Sequence, residues 1–238
     1  MRRAGAVVGR FFEEVRTWIL PGVSTWELEV FADRFIARNG VRSAFKGYMG
    51  YPAHLCASIN EEVVHGIPSK DRVVREGDIL SIDFGIVREG FYGDSAMTFP
   101  VGAVNGVSSR LLAATERALA AGIGETRPGN RLGDVSAAVQ EAAESEGFSV
   151  VRDFVGHGIG RSLHEDPQIP NFGKRGVGPK LTPGMTLAIE PMVNAGGWPV
   201  EVLSDGWTVV TRDGRPSAHF EHTVLVGVDQ AEILTCSE

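Results

Sequence analysis

The sequence predicts an α+β fold, with two pseudo-symmetric halves arranged around a mostly antiparallel sheet. Turn-forming residues recur at a constant offset of 107 positions. The matched pairs are Pro21-Gly22 with Pro128-Gly129, Gly40 with Gly147, and Gly77 with Gly184. Patterns typical of helices precede patterns typical of strands in each half, an order that favours α+β structure. We expect one domain over residues 1–238, with half-repeats at about 21–105 and 128–230, because no linker rich in Pro, Gly or Ser separates them.

The elements are predicted from apolar periodicity and from residues that begin or end a helix. Ser24 or Thr25 can cap a helix that ends at Asn39-Gly40, and the repeat gives this helix a counterpart in the second half. Helices are expected over about 1–18, 24–39, 108–121 and 131–147. Strands are expected at Ala53–Asn60, Asp78–Val87, Phe91–Phe99, Phe148–Val155, Met185–Val193, Thr208–Arg212 and His219–Val226.

The bulk composition excludes several classes of protein. Hydrophobic residues make up 43% of the 238 residues and charged residues 22%, which is ordinary for a globular chain. A net charge of −7 argues against a dedicated, sequence-specific nucleic-acid binder. No apolar run approaches the roughly 20 residues of a membrane helix. Two cysteines form no disulfide framework, so we expect a reducing compartment, the cytoplasm, and no membrane partner.

Acidic residues are part of the repeat. Asp83 corresponds to Glu190 at the same offset, and Asp94 corresponds to Glu221 at 127 positions, so the second half carries 20 extra residues, mostly within 194–217. Chance similarity is the alternative, but three glycines and an acid at one offset disfavour it. Four converging carboxylates would repel one another. Because two divalent cations neutralise four carboxylates, the charge count favours a dinuclear metal site over a single ion.

Asp83 and Asp94 also supply a geometric argument for metal. They flank a turn expected near Val87 to Gly90, and their midpoint falls between Arg88 and Glu89, so a tight turn would make them nearly opposite on neighbouring antiparallel strands. Facing residues there have Cβ atoms roughly 4.5–5.5 Å apart, and paired metal ions in hydrolytic sites lie about 3.5–4 Å apart. The alternative is a pair of solvated hairpin acids. It is disfavoured because Asp83 lies among isoleucine and leucine residues, where an unpaired charge is costly.

Three histidines lie in segments that suit a metal or substrate site. His157 is surrounded by glycines in Val155–Gly160, which lets backbone and ligand approach closely. His164 follows seven residues later, and His65 lies in Asn60–Pro68. A surface loop is the alternative for His157, and any single histidine is more often structural than catalytic. The remaining histidines are assigned to structural roles: His54, His219 and His222.

At these residues the chain resembles the methionine aminopeptidases, specifically the type I enzymes. The matching stretches are Asn60–Pro68, Ser81–Gly85, Gly93-Asp94, Gly156–Gly160, His164-Glu165, Ile189–Met192 and Phe220–Thr223. They run in order, with compatible spacing, over nearly the whole chain from Pro21 onward. The resemblance implies the pita-bread fold, in which two related α+β halves enclose a dimetal centre.

The resemblance also implies roles for the acids and one histidine. It makes five residues the ligands of two divalent ions: Asp83, Asp94, His157, Glu190 and Glu221. Asp94 and Glu221 would bridge both ions, whereas Asp83 would complete one ion, and His157 and Glu190 the other. A set with one nitrogen and no sulfur suits cobalt, manganese, iron or zinc without choosing among them.

The implied reaction is removal of the N-terminal methionine from nascent proteins and peptides, with a preference for a small second residue. A hydroxide that bridges the metal ions would attack the first peptide bond, with Glu190 as general base and later acid. His164 would stabilise the oxyanion, and His65 would hydrogen-bond the substrate. The methionine pocket is expected from five residues, for which ordinary core packing is the alternative: Phe45, Tyr48, Tyr51, Cys56 and Trp207. Some family members carry cysteine in place of Phe45 and an aromatic residue in place of Leu163, so the pocket shape does not follow from the resemblance.

Two other functions fit parts of the sequence. An aminopeptidase P or prolidase would carry a large N-terminal domain, and we expect none because the first half-repeat starts by Pro21. A non-catalytic pita-bread binding protein would have lost ligands, whereas all five are present. The short stretch between His164 and Glu190 has no room for the helical insertion of type II enzymes. An enzyme of the bacterial, catalytic-domain-only type is therefore expected, and we also expect a monomer.

The expected partners are the N-termini of nascent polypeptides. Lys174, Arg175 and Lys180 form a basic segment, and the resemblance allows it a contact with the ribosome. A solvated loop is the favoured interpretation of the same three charges.

Overall fold

The structure is a computed structural model that describes residues 1–236. Within them the helices are α1 (Arg2–Val15), α2 (Thr25–Asn39), α3 (Gly106–Glu125) and α4 (Leu132–Ser145), with short 3-10 turns at Arg16–Trp18 and Tyr48–Gly50. Ser24 begins α2, because its side chain accepts the Glu27 N–H while the Glu27 carboxylate accepts the Ser24 N–H at 2.9 Å. The helix ends at Gly40, whose φ of 61° is left-handed. The four predicted helices are confirmed. None of the helices in the described part of the chain is long and apolar enough to span a membrane.

The described strands form four antiparallel sheets. In chain order they are β1 (Arg42–Ser43), β2 (Leu55–Ile59), β3 (Glu62–Val64), β4 (Ile79–Arg88), β5 (Phe91–Pro100), β6 (Ser149–Val150), β7 (Val155–Gly158), β8 (Glu165–Pro170), β9 (Thr186–Ile189), β10 (Met192–Asn194), β11 (Val200–Val202), β12 (Val209–Thr211), β13 (Ser217–His219), β14 (His222–Val226) and β15 (Ala231–Ile233). The first sheet has the order β1-β4-β2, with β5 also paired to β4, and the largest has the order β15-β14-β9-β7-β8. The smaller sheets are β13-β10-β6 and β11-β12-β3. The α+β class with antiparallel sheets is confirmed.

Three strands that were predicted to be continuous are interrupted in the structure. The strand expected at 185–193 is divided into β9 and β10, and the one expected at 219–226 is divided between β13 and β14, in each case across two sheets. These two breaks lie opposite each other, because Ile189 pairs with His222 and Met192 pairs with His219. Pro191, which has no backbone N–H to donate to a ladder, lies in one of them. The strand expected at 148–155 contains only β6 and the first residue of β7.

Five strands were not predicted: β1, β3, β8, β11 and β15. Four of them are two or three residues long, too short to establish an alternating pattern. The fifth, β8, begins with Glu165-Asp166-Pro167, residues that are more typical of a turn.

The glycines of the sequence repeat have matching backbone conformations. Their φ angles are 97° and 94° at Gly22 and Gly129, 61° and 81° at Gly40 and Gly147, and 91° and 96° at Gly77 and Gly184. Isolated bridges recur at the same offset, joining Ser24 to Val73 and Arg131 to Lys180. The Arg131 N–H donates to the Asp134 carboxylate at 2.7 Å, the counterpart of the capping bond at the start of α2. The two halves therefore repeat local geometry, as the pseudo-symmetric pita-bread fold requires.

Each half has its own hydrophobic core. In the first half, Phe11 of α1 stacks on Phe84 of β4 with ring centroids 3.6 Å apart. In the second half, fully buried Leu111 of α3 and Val135 of α4 belong to one cluster with residues of β9 and β14. The even-numbered residues of β4 face the first core, so Asp83 points to the opposite face of the sheet.

Candidate metal centre

Asp83 of β4 and Asp94 of β5 share one face of the first sheet but are not opposite each other. The ladder pairs Asp83 with Ala96 and Asp94 with Gly85. The hairpin turns at Glu89-Gly90, with φ angles of 52° and 79°, which is the two-residue turn with positive φ at both positions. This turn lies within the expected span of Val87 to Gly90, but its centre is one residue beyond the midpoint between Asp83 and Asp94. The prediction of nearly opposite acids is therefore wrong, and the two are diagonal neighbours, roughly 7–8 Å apart in a typical ladder.

Gly85 provides space for the Asp94 carboxylate. A Cβ atom at this position would lie 2.9 Å from Asp94 Oδ1 and 2.8 Å from Phe45 Cε1. Both distances are below van der Waals contact, so any side chain here would displace the acid or the aromatic ring. Gly85 is therefore needed both by Asp94, a candidate metal ligand, and by Phe45, a predicted pocket residue.

Glu190 and Glu221 lie in the two opposed breaks between strands. The expectation that Glu221 lies within a strand is wrong. Hydrogen bonds between the halves hold it beside Asp94: the Ser95 hydroxyl donates to the Glu221 carbonyl at 2.5 Å, and the Thr223 hydroxyl donates to the Asp94 carbonyl at 2.8 Å. Acids from both halves thus meet where the sheets are interrupted.

His157 of β7 directs one ring nitrogen toward these acids. Its Nδ1 lies 2.8 Å from the Gly158 carbonyl oxygen, so Nδ1 carries the hydrogen and Nε2 keeps a lone pair. That Nε2 lies 3.5 Å from Glu190 Oε1. The flanking glycines allow the close approach of neighbouring strands, since a Cβ at Gly156 would lie 2.4 Å from the Ala188 carbonyl oxygen. Such an imidazole is prepared to bind a metal ion.

The donor set fits divalent cations. Ligand atoms of Asp94, His157 and Glu221 lie within 4.8 Å of one another. Asp83 Oδ1, Asp94 Oδ1 and Glu221 Oε1 are buried and have no hydrogen-bond partner in the described structure. Carboxylate oxygens in this condition are costly unless a cation neutralises them. Four carboxylates and one imidazole suit the divalent metals from manganese to zinc.

The pKa values of the four buried acids are raised, which shows that ionised carboxylates are unfavourable here without a cation. Burial raises the pKa of Asp94 to about 7. Burial, reinforced by the charge of Asp94, raises the pKa of Asp83, Glu190 and Glu221 well above the ordinary range. Bound cations would reverse these shifts, because they favour the ionised carboxylates.

One cavity of about 190 Å³ contains all of the predicted site residues. It is lined by the five candidate ligands, by His65 and His164, and by the five predicted pocket residues Phe45, Tyr48, Tyr51, Cys56 and Trp207. Tyr51 and Trp207 meet edge to face with ring centroids 5.0 Å apart. Leu163 and Met49 complete the lining, and Met49, which is 82% exposed, was not predicted. The single pocket thus joins an acidic centre to an aromatic chamber.

The two auxiliary histidines are neutral hydrogen-bonding groups. Burial lowers the pKa of His65 to about 4, and burial lowers the pKa of His164 as well. The Tyr48 hydroxyl lies 2.7 Å from His164 Nδ1. If the hydroxyl donates, the His164 proton resides on Nε2, where it can be donated to a substrate oxygen. The rings of His164 and His157 meet at 4.3 Å.

His219 is a site residue that sequence reasoning missed. It was assigned to structure, but its Nε2 lies 3.7 Å from Glu190 Oε2. A signal existed, since residues two apart in an extended chain point to the same face and His219 lies two before Glu221. The structural assignments of the other two fit the contacts seen: His54 Nδ1 lies 2.6 Å from Glu29 Oε1, and His222 Nδ1 lies 2.8 Å from Thr235 Oγ1.

The basic segment is partly neutralised by its neighbours. Arg175 forms ion pairs with Glu125 at 3.0 Å and Glu141 at 2.6 Å. This pairing reduces the charge that the segment presents to an anionic partner.

Comparisons with known proteins agree over the full length. The sequence model of metallopeptidase family M24 matches residues 1–227. Methionine aminopeptidase 1 of Bacillus subtilis is 52% identical over 99% of this chain and 94% of its own length. Methionine aminopeptidase 1 of Mycobacterium tuberculosis is 47% identical over 99% of this chain and 91% of its own.

Solved structures give the same result. The crystal structure of methionine aminopeptidase from Thermotoga maritima has a TM-score of 0.98 and 51% identity, and covers 100% of this chain and 95% of its own. Prolidase from Pyrococcus furiosus has a TM-score of 0.80 at 20% identity, with 63% of that chain covered, and shares the fold alone. From the family model, the full-length identities and the structural match, this chain belongs to metallopeptidase family M24 and, within it, to the methionine aminopeptidases.

Proposed function

We propose that this chain removes the N-terminal methionine from polypeptides, with a preference for a small second residue, by metal-dependent hydrolysis at a dinuclear centre. The observation that carries the proposal is the single cavity in which five metal-ligand candidates adjoin an aromatic and sulfur-containing chamber. Family membership supports the peptidase chemistry, and the cavity lining supports the methionine preference.

The proposed ligands are the five residues identified from the sequence: Asp83, Asp94, His157, Glu190 and Glu221. Asp94 and Glu221 are the proposed bridging pair, which is supported by the hydrogen bonds that hold them together across the halves. Asp83 belongs to one ion, and His157 and Glu190 to the other, in keeping with the 3.5 Å between His157 Nε2 and Glu190 Oε1. The metal is cobalt, manganese, iron or zinc, since the donor set accepts each of them.

The residues divide the reaction among them. Bound divalent cations supply a lowered pKa for water and polarisation of the scissile carbonyl. Glu190, which lines the cavity beside His157, accepts a proton during attack and returns it to the leaving amine. His164 donates to the oxygen on which negative charge develops. His65, whose ring packs at 5.7 Å from that of Phe154, donates to the substrate beside the bond that is cut.

The chamber accounts for the choice of residue. Aromatic rings line one side of the cavity, which has a total volume of about 190 Å³, and a thioether makes favourable contacts with such rings. Tyr51 is fixed by hydrogen bonds from its hydroxyl to the Leu55 and Gly66 carbonyls, so this wall is rigid. A substrate enters with its free amino group beside Asp83, which restricts cleavage to N-termini.

We also propose the cellular setting expected from the sequence. The chain acts as one catalytic domain and as a monomer, in the cytoplasm, on the N-termini of nascent chains; both free cysteines suit a reducing compartment. A ribosome contact through 174–180 remains a proposal, and the Arg175 ion pairs favour a weak one.

The test is peptide hydrolysis with controlled metal content. Protein dialysed against a chelator should cleave Met-Ala-Ser only after manganese, cobalt, iron or zinc is restored, and should cleave Leu-Ala-Ser and Met-Leu-Ser much more slowly. Ala-Pro serves as the control for prolidase activity. Faster cleavage of Ala-Pro than of Met-Ala-Ser, or no cleavage of Met-Ala-Ser with any of the four metals, would contradict the proposal.

A further inference from the structure

We infer that His219 is a positioning residue for Glu190: its Nε2–H donates to Glu190 Oε2 and thereby holds Oε1 toward His157 and the metal. This inference rests on the proposed role of Glu190 as a ligand. It assigns a function to a histidine that lies outside the five-ligand set and outside the cavity lining.

The two oxygens of Glu190 face different histidines. Oε1 lies 3.5 Å from His157 Nε2, and Oε2 lies 3.7 Å from His219 Nε2. A cation bound by His157 would therefore contact Oε1. The other oxygen would be left facing His219. This division of the carboxylate is what a ligand with an outer hydrogen-bond partner requires.

His219 Nε2 needs an acceptor. The residue is 1% exposed, and its Nε2 is buried without a hydrogen-bond partner. A buried polar group that is left unpaired is destabilising. The separation of 3.7 Å exceeds the roughly 2.7–3.2 Å of a hydrogen bond, so the pair closes by a small rotation of the Glu190 carboxylate.

His219 itself is held in place by the other half of the molecule. Its backbone N–H donates to Thr98 Oγ1 at 2.9 Å, and that hydroxyl donates to the His219 carbonyl at 2.8 Å. Thr98 Oγ1 is also 2.8 Å from Ser81 Oγ on β4. The backbone that carries the imidazole is thus fixed, and the ring itself is 1% exposed. A hydrogen bond from a fixed donor removes rotational freedom from Glu190 before the ion arrives.

The expected size of the effect follows from comparable outer partners of metal ligands. Their removal typically costs about 10–100-fold in metal affinity or activity. The loss should fall on the ion held by His157 and Glu190. The ion completed by Asp83 should be affected much less.

The experiment compares His219→Gln with His219→Met. These side chains have nearly the same length and flexibility, but only glutamine carries an N–H that can reach Glu190 Oε2. Isothermal titration of Mn²⁺ into chelator-dialysed protein gives the affinity of each site, thermal melting reports folding, and kcat and KM are measured on Met-Ala-Ser with saturating Mn²⁺. We expect His219→Gln to bind both ions within about threefold of wild type, and His219→Met to bind one ion about 10–100-fold more weakly. In the kinetics, His219→Met should lower kcat more than it raises KM.

Each outcome decides the matter. Wild-type affinity in His219→Met overturns the inference, and so does an equal loss in both variants, because packing rather than the N–H would then be responsible. Retention by glutamine together with loss by methionine supports it, including when methionine also lowers the melting temperature, since the ion affinities are compared in folded protein. Failure of the wild type to take up two ions would instead contradict the proposed ligand set, and with it this role.

Discussion

Replacing Asp94 with asparagine should change the stability of the metal-free protein and its affinity for metal in opposite directions. Asp94 is 4% exposed, and burial raises its pKa from 3.8 to about 7. A folded pKa above the unfolded one means that the stabilising contribution is fully present below 3.8 and is lost as the pH rises through about 7. Metal-free wild type should therefore become less stable over this interval.

The structure gives the magnitude. A rise in pKa from 3.8 to about 7 corresponds to about 4 kcal/mol at pH 8, an upper bound because the acids titrate together. The charge of Asp94 also raises the pKa of Asp83, Glu190 and Glu221, so its removal relieves three further groups. The Asp94→Asn protein without metal should accordingly be more stable than wild type at pH 8. With a bridging carboxylate lost, the same variant should bind neither ion tightly.

The assay is urea denaturation of chelator-dialysed protein at pH 5 and pH 8, followed by circular dichroism, with Mn²⁺ titrations in parallel. Asp134→Asn is the control: the backbone N–H groups of Arg131 and Gly176 lower the pKa of Asp134. A folded pKa below the unfolded one stabilises at higher pH, so this variant should lose stability at pH 8. The reasoning is refuted if metal-free Asp94→Asn protein is no more stable than wild type at pH 8, or if it binds two ions normally.

Three further substitutions test the proposed roles of individual groups. Glu190→Gln should lower kcat by about 10²–10⁴-fold with an unchanged circular dichroism spectrum; a near-normal kcat would move the general base elsewhere. His164→Ala should lower kcat by about 10²–10³-fold while Mn²⁺ titration still shows two sites; a lost ion would make His164 a ligand, and a rise in KM alone would make it a ground-state binding residue. Tyr48→Phe removes the hydroxyl 2.7 Å from His164 Nδ1. A hydrogen bond worth about 0.5–1.5 kcal/mol corresponds to about a 2- to 12-fold fall in kcat, and a fall confined to KM would show that Tyr48 serves only the methionine chamber.

The sequence was sufficient to identify the groups that meet at the site. The repeated carboxylates were found from residue type and spacing, the resemblance to the methionine aminopeptidases added the roles of His65, His157 and His164, and all of these residues line one cavity. The repeat was informative because the glycine pairs hold special backbone conformations, so their spacing records geometry as well as ancestry. Met49 was missed because an exposed residue between two glycines gives no periodic signal.

The relative positions of those groups could not be predicted from the sequence. The register of Asp83 against Asp94 depends on which two residues form the turn, and a shift of one residue there moves the acids from opposite to diagonal. The breaks at Glu190 and Glu221 arise where strands pass from one sheet to another, which is a tertiary event, although Pro191 gives the first break a local signal. His219 was missed although it lies two residues before Glu221, because its contact with Glu190 exists only after both breaks have formed.

The hydrogen bonds that join Asp94 and Ser95 to Thr223 and Glu221 connect residues 126 to 129 positions apart. Contacts between such distant parts of a chain close late in folding, because the entropy of a long loop must be overcome first. Neither half carries the complete set of proposed ligands, so on this proposal a partly synthesised or partly folded chain would have no high-affinity site for cations. Uptake of the second ion would therefore report that folding is complete. The hydrogen bonds between the two halves would in this way make metal binding depend on a fully folded chain.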